Sequence, residues 1–158
     1  MSTERWNSAM TEALALAHLA WSSSGDVPVG AVLVDPDGTV VAVGKNEREL
    51  LGDPTAHAEV VAIRAAAALS SNWRLSDLTL VVTLEPCAMC AGAIQAARIG
   101  RVVFGAWDER VGAGGSRYDL LRDGRLGGVV EVVAGVLESE CSSVLRQFFE
   151  ERRMSGSR

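Results

Sequence analysis

Apolar side chains recur at Met10, Leu14, Ala17 and Trp21, a three-to-four spacing that predicts an amphipathic helix over Trp6 to Trp21. Past Gly25 the period changes. Val29 to Val34 is a short β-branched run, Asp35-Pro36-Asp37-Gly38 has the composition of a turn, and Val40 to Gly44 is a second run, so a β-hairpin is expected. Ala58 to Leu69 is alanine-rich and reads as a helix, preceded by helix-starting residue types in Asp53-Pro54-Thr55. Leu78 to Leu84 is almost wholly apolar, the mark of a strand buried on both faces, and Cys87 to Ala97 follows as a helix.

Arg101 to Phe104 and Val129 to Val133 read as two further strands. Glu138 to Arg153 reads as a closing helix with Val144, Leu145, Phe148 and Phe149 apolar. Strands alternating with helices predict a three-layer α/β/α fold around a central five-stranded mixed sheet. With 158 residues, 48% of them hydrophobic, the chain has the size and content for one domain over 1–158. Its ordered core is expected at about 6–153, with 154–158 a frayed tail.

No apolar run approaches the roughly 20 residues that cross a bilayer, so no membrane association is expected. Met1 to Trp6 carries both charge signs and lacks the pattern of a signal peptide. Three cysteines, two of them in a C-x-x-C pair, suit a reduced compartment and a metal or redox site better than a disulfide framework. A cytoplasmic protein is expected.

A net charge of −5 and a pI near 5.0 argue against indiscriminate nucleic-acid binding, which depends on phosphate neutralisation. The average conceals an asymmetry. Residues 1–79 hold 5 basic and 10 acidic side chains, whereas residues 80–158 hold 10 of each, leaving room for a basic face in the second half.

Two predicted helix starts carry chemistry: His57-Ala58-Glu59 and Pro86-Cys87-Ala88-Met89-Cys90. In an open α/β sheet such starts converge at the carboxyl edge of the strands, so both motifs are expected in one site, His57, Glu59, Cys87 and Cys90 each on a first turn. Cysteines three apart share a helix face, and the positive end of the helix dipole favours their thiolates. Two thiolates and an imidazole suit zinc, and three protein ligands leave the fourth tetrahedral position for water, as in catalytic sites. His18 and Cys141 are the remaining soft ligands; if either completed the sphere, the site would be structural. Zinc lowers the pKa of its water toward about 7. A carboxylate must still move protons if an amino group is to be displaced from a ring carbon, and Glu59, two residues from a ligand, is placed to do so.

H-x-E followed by P-C-x-x-C resembles the cytidine-deaminase superfamily of zinc deaminases. Further stretches resemble its bacterial tRNA adenosine deaminases over about Trp6 to Arg153: Val27 to Val34, Asp53 to Glu59, Thr83 to Cys87, Met89 to Ala93 and Arg98 to Gly105. The resemblance implies one zinc per chain and hydrolytic deamination of adenosine to inosine at the wobble position of a tRNA anticodon, typically an arginine tRNA. It also implies a homodimer. By resemblance, Asn46 and Ala58 contact the flipped nucleotide, Asp108 belongs to a substrate loop over Gly105 to Arg110, and Phe148, Phe149 and Arg152 on the last helix meet the anticodon stem-loop. Trp107 stands where that family carries a more basic residue, and Glu47, Glu49 and Gly52 replace a more basic stretch. Two other readings stay open at this level: deamination of a free base or nucleoside (guanine, cytosine or cytidine), and a noncatalytic module stabilised by structural zinc.

Overall fold

The computed structural model describes residues 2–156. A 3-10 turn at Glu4–Trp6 leads into α1 (Asn7–Ser24), then β1 (Gly30–Val34) and β2 (Val40–Lys45). A single-turn α2 (Arg48–Leu51) precedes α3 (Ala58–Ser70), β3 (Thr79–Leu84), α4 (Ala88–Ala96) and β4 (Arg101–Ala106). A long irregular segment then reaches β5 (Glu131–Ala134) and α5 (Glu138–Met154). The strands form one five-stranded sheet in the order β2-β1-β3-β4-β5. β1 is antiparallel to both β2 and β3, whereas β3, β4 and β5 are mutually parallel. This is the expected mixed sheet.

Each sheet face is covered, which explains why β1 and β3 are apolar at nearly every position. Ala31, Leu33, Leu80, Val82, Val102 and Phe104 point to one side and pack with Ala58, Ala62 and Ala66 of α3 and Ala91 and Ile94 of α4. Val32, Val34, Val81 and Val103 point to the other side, against Ala9, Met10 and Ala13 of α1 and Cys141 of α5. The alternation is the two-residue period of a strand serving two cores. β2 is an edge strand, and Val41 and Val43 face solvent accordingly.

Met10 and Ala17 of the expected row are buried, but Ala9, Ala13 and Ala20 complete the stripe of α1 in place of Leu14 and Trp21, which are only half-buried. The reason lies in the sheet. A Cβ on Gly30 would run into the backbone of Ala13 and Ala17, so α1 lies too close for anything larger than alanine at its centre. α1 also runs on to Ser24, where Gly25, at φ 70°, closes it in the left-handed conformation.

Other boundaries move by one or two residues, β4 running on to Ala106. β5 begins at Glu131 instead of Val129, because Gly128 is held by the Gln95 side chain and Val130 donates its N–H to Leu121 O, which leaves Val129 70% exposed. α5 continues to Met154, one residue into the expected frayed tail; residues 157 and 158 of that tail lie outside the described residues. Among the described residues no helix is long and apolar enough to cross a membrane.

Candidate functional site

β2 and β3 are both antiparallel to β1, so β2, β3 and β4 end at the same edge of the sheet. Lys45 pairs with Gly30, whose N–H reaches Thr83 Oγ1 at 3.2 Å, and Leu84 pairs with Ala106. The residues that leave the sheet just beyond this row are Asn46, Glu85-Pro86-Cys87 and Trp107-Asp108. Helix α3 starts there too, since Glu47 N–H bonds Ala56 O.

His57 and Cys87 differ from expectation in one useful way. They do not sit in the first helical turns; each is the extended residue just ahead of one, with φ/ψ of −68°/153° and −76°/176°. An extended residue is not bound to the side-chain spacing of the helix it precedes, which frees both side chains to meet across α3 and α4. His57 Nδ1 lies 3.6 Å from Cys87 Sγ and 3.5 Å from Cys90 Sγ. A four-coordinate zinc with bonds of about 2.0–2.1 Å to nitrogen and 2.3 Å to sulfur holds such atoms about 3.6 Å apart along a tetrahedral edge. The three residues fit a metal of that size.

Among the described residues no further histidine, cysteine or carboxylate joins the group. Cys141 is buried in the opposite core, where desolvation pushes its thiol up to about 12. His18 is exposed on α1. Neither completes a fourth protein ligand, so the arrangement is an open one.

The sulfurs share protons unequally. Cys87 is lowered to about 4, chiefly because the Cys90 thiol donates a hydrogen bond to it, against the opposing effect of burial. That bond and burial push Cys90 strongly upward. His57 is raised, first by its hydrogen bond with Cys87. Glu59 is buried, at 4% exposure, and desolvation raises its carboxyl above the ordinary value, partly offset by hydrogen bonds from its own N–H and from Cys90.

His57, Ala58, Glu59 and Cys87 line a cleft of about 850 Å³, together with Asn46, Trp107, Asp108, Phe149 and Arg152. Asn46 donates Nδ2 to Val27 O at 3.2 Å and accepts Arg48 N–H on Oδ1 at 3.2 Å. An amide with two hydrogens and two lone pairs keeps one of each beyond those bonds. Asp108 Oδ1 accepts the N–H groups of Arg110 and Val111, so this residue shapes its own loop. Phe149 is 40% exposed in the cleft, whereas Phe148 is buried at 4% and packs edge-on against Trp21 at 5.4 Å. The structure therefore separates the two phenylalanines and leaves Phe148 as a packing residue beneath Arg152, whose guanidinium lies 5.1 Å from its ring.

Residues 3–106 match the family model described as the cytidine and deoxycytidylate deaminase zinc-binding region. The chain belongs to this deaminase family. It is 49% identical, over 91% of its length and 83% of the relative's, to the tRNA-specific adenosine deaminase of Haemophilus influenzae. The Bacillus subtilis protein of that name is 46% identical over 91% of this chain and 88% of its own. A solved structure from work on A-to-I editing by tRNA:A34 deaminases at the wobble position superposes with a TM-score of 0.82 at 41% identity, covering 87% of this chain and 99% of that one.

Three residues that shape this deaminase site escape sequence reasoning. Glu85 is buried, at 2% exposure, and its carboxylate accepts the N–H groups of Asp108, Gly114 and Ser116 and the Ser116 hydroxyl. Asp26, fully buried, accepts the N–H groups of Glu49 and Leu50 and thereby anchors α2 beside the cleft. Gln95 donates to the carbonyls of Leu120, Leu121 and Gly128 and ties the long segment before β5 to α4. One signal was available for Glu85: a charged residue closing an apolar strand must find buried partners or solvent. The partners themselves, far along the chain, left no local trace.

Proposed function

We propose that the protein hydrolytically deaminates adenosine to inosine at the wobble position of a tRNA anticodon, typically of an arginine tRNA. The observation that carries this reading is the buried carboxyl of Glu59 beside an open three-ligand group, on the wall of a cleft that also holds aromatic and arginine side chains. The relatedness to tRNA-specific adenosine deaminases supplies the substrate. His57, Cys87 and Cys90 would hold one zinc per chain, which supplies a water acidic enough to attack at neutral pH.

Glu59 takes a proton from the attacking water and delivers it to the ring nitrogen of adenine. It then takes the proton of the hydroxyl newly bonded to the ring carbon and passes it to the amino group, so that the C–N bond breaks, ammonia leaves and inosine, with its new carbonyl, remains. Burial suits Glu59 to this, because it raises the carboxyl pKa toward neutrality, where one group can both accept a proton and return it. Asn46 uses its remaining donor and acceptor to hold the flipped nucleoside, and Ala58 and Asp108 border it. Phe149 and Arg152 take the surrounding anticodon stem-loop, through stacking and phosphate contact.

The reading includes a homodimer in the cytoplasm, where tRNA is found. Leu50, Leu51, Val111 and Tyr118 are each more than half exposed, and a second copy would cover such apolar surface. Sedimentation at micromolar concentration checks this: a monomer at all concentrations removes the dimer from the reading.

The deciding assay incubates the zinc-loaded protein with an anticodon stem-loop bearing a wobble adenosine, and separately with free adenosine, cytidine and guanine. Inosine in the RNA alone is expected. Conversion of a free base or nucleoside without conversion of the RNA overturns the tRNA reading, and no conversion of any substrate points to a noncatalytic zinc module.

A further inference from the structure

We propose that Trp107 is a stacking platform for the base of a nucleotide flanking the target adenosine. The inference rests on the deaminase reading above and extends it to how the RNA loop is held.

Trp107 is the first residue beyond β4, directly after Ala106, whose partner Leu84 leads through Glu85 and Pro86 to Cys87. It lines the same cleft as His57, Glu59 and Cys87. The indole is 42% exposed, yet it is fixed from below: Phe104 meets it edge-on at 4.9 Å and 84°. Its loop is fixed as well. Glu85 holds the N–H of the next residue, Asp108, at 2.9 Å, and Asp108 in turn holds the N–H groups of Arg110 and Val111. An aromatic face presented on an immobile loop loses little entropy when a base stacks on it.

The other tryptophans are already engaged. Trp6 lies beneath Arg5 and Arg101, and Trp73, itself 55% exposed, has the guanidinium groups of Arg74 and Arg98 at 5.0 and 5.9 Å. Trp21 packs on Phe148. Among the described residues no arginine or lysine covers Trp107, although Arg110 lines the same cleft.

Charge selects the base over the phosphate as the partner of this surface. The cleft is lined by Arg48, Arg110 and Arg152 against Glu59, Glu85, Asp108, Glu109 and Glu138, so acid exceeds base. A phosphate placed against Trp107, next to Asp108 and Glu109, meets that excess away from Arg152 on α5, whereas a neutral base has no charge to oppose it. Stacking also requires no neutralisation of the RNA backbone, which suits a chain of net charge −5. Splayed loop bases are what proteins recognise in this way.

The test is a double-mutant cycle between protein and RNA. Wild type, Trp107→Leu and Trp107→Phe are assayed on the intact anticodon stem-loop and on two versions with an abasic residue immediately 5′ or 3′ of the target adenosine. On intact RNA, Trp107→Leu is expected to raise KM about tenfold with the loss falling on KM rather than kcat, and Trp107→Phe to restore most of the affinity. On one of the abasic RNAs wild type and Trp107→Leu should have the same KM. An unchanged KM for Trp107→Leu on intact RNA overturns the proposal. So does a Leu penalty that persists on both abasic RNAs, or a KM change that follows a change of oligomeric state by sedimentation. Failure of wild type to deaminate the intact stem-loop would instead overturn the function proposed above, and this inference with it.

Discussion

Glu85 and Ser116 meet at the heart of the segment between β4 and β5: the serine hydroxyl donates to the glutamate carboxylate at 2.6 Å, and the serine N–H donates to it at 3.1 Å. The same carboxylate holds Asp108 N–H and Gly114 N–H, both at 2.9 Å. One buried charge thus does for this loop what a strand partner does for a strand. Glu85→Ala strands three backbone donors and should cost about 3 kcal/mol, from the penalty for buried donors left unpaired. Ser116→Ala removes a single hydroxyl and should cost about 1 kcal/mol. Urea unfolding at fixed pH checks both, and equal costs for the two variants would mean that Glu85 does not organise the loop.

Replacing the acid tests the proton role without disturbing the ligands. Glu59→Gln should keep zinc while activity on the stem-loop falls by about 10²- to 10⁴-fold, the range for a lost general acid or base. The stability change has a defined sign. Burial raises the Glu59 carboxyl above its ordinary value near 4.5, so in the metal-stripped protein its contribution to stability is present at low pH and is lost as pH rises through the raised value. Wild type should therefore lose stability relative to Glu59→Gln across that window. Full activity in the zinc-loaded variant would remove Glu59 from the mechanism.

The two site cysteines should react differently once metal is stripped. With its thiol lowered to about 4, Cys87 is a thiolate at pH 6 and should be alkylated by iodoacetamide there, its rate falling only as pH approaches that value. Cys90, pushed upward and buried, and Cys141, near 12 and buried, should stay unmodified. Added zinc should protect Cys87. Peptide mass spectrometry reads all three positions, and preferential labelling of Cys90 would reverse the proton assignment. Cys87→Ala should lose zinc and activity together, because two remaining ligands hold the metal poorly.

Gly30 sets how closely α1 approaches the sheet. Gly30→Ala places a methyl group against the backbone of Ala13 and Ala17, where a flexible side chain could yield but backbone cannot. The cost should be at least about 3 kcal/mol, the upper part of the range for overpacking. Gly44→Ala, which meets the backbone of Ala58 and Ala62 at the start of α3, should lose comparable stability and also activity, since Ala58 and Glu59 would shift with the helix. Thermal unfolding and the stem-loop assay together separate the two variants; a Gly30→Ala protein as stable as wild type would mean that α1 can move away freely.

Much of this molecule was written locally. Three-to-four apolar spacing, alanine-rich stretches and short apolar or β-branched runs located the major helices and strands and, with them, the layered fold, because burial on one or two faces is a property of neighbouring residues. H-x-E and P-C-x-x-C were legible for the same reason: the side chains that share chemistry lie within a few residues of each other, at two helix starts that an α/β sheet brings to one edge. The resemblance to deaminases then rested on those motifs and their flanks.

Tertiary structure decided what depends on distant partners. The orientation of α5 turned Phe148 onto Trp21 and left Phe149 in the cleft, a choice that two adjacent apolar residues cannot announce. Close packing against Gly30 put Ala13 and Ala17 at the buried centre of α1 and left Leu14 and Trp21 half-buried. His57 and Cys87 proved to be extended residues ahead of their helices, which is what lets ligands 30 positions apart in the chain come within 3.6 Å. Glu85 found its donors 23 to 31 residues away. Periodicity and motif record only what neighbours in the chain share, whereas a hydrogen bond or a packing distance between distant segments exists only after the whole sheet has placed them.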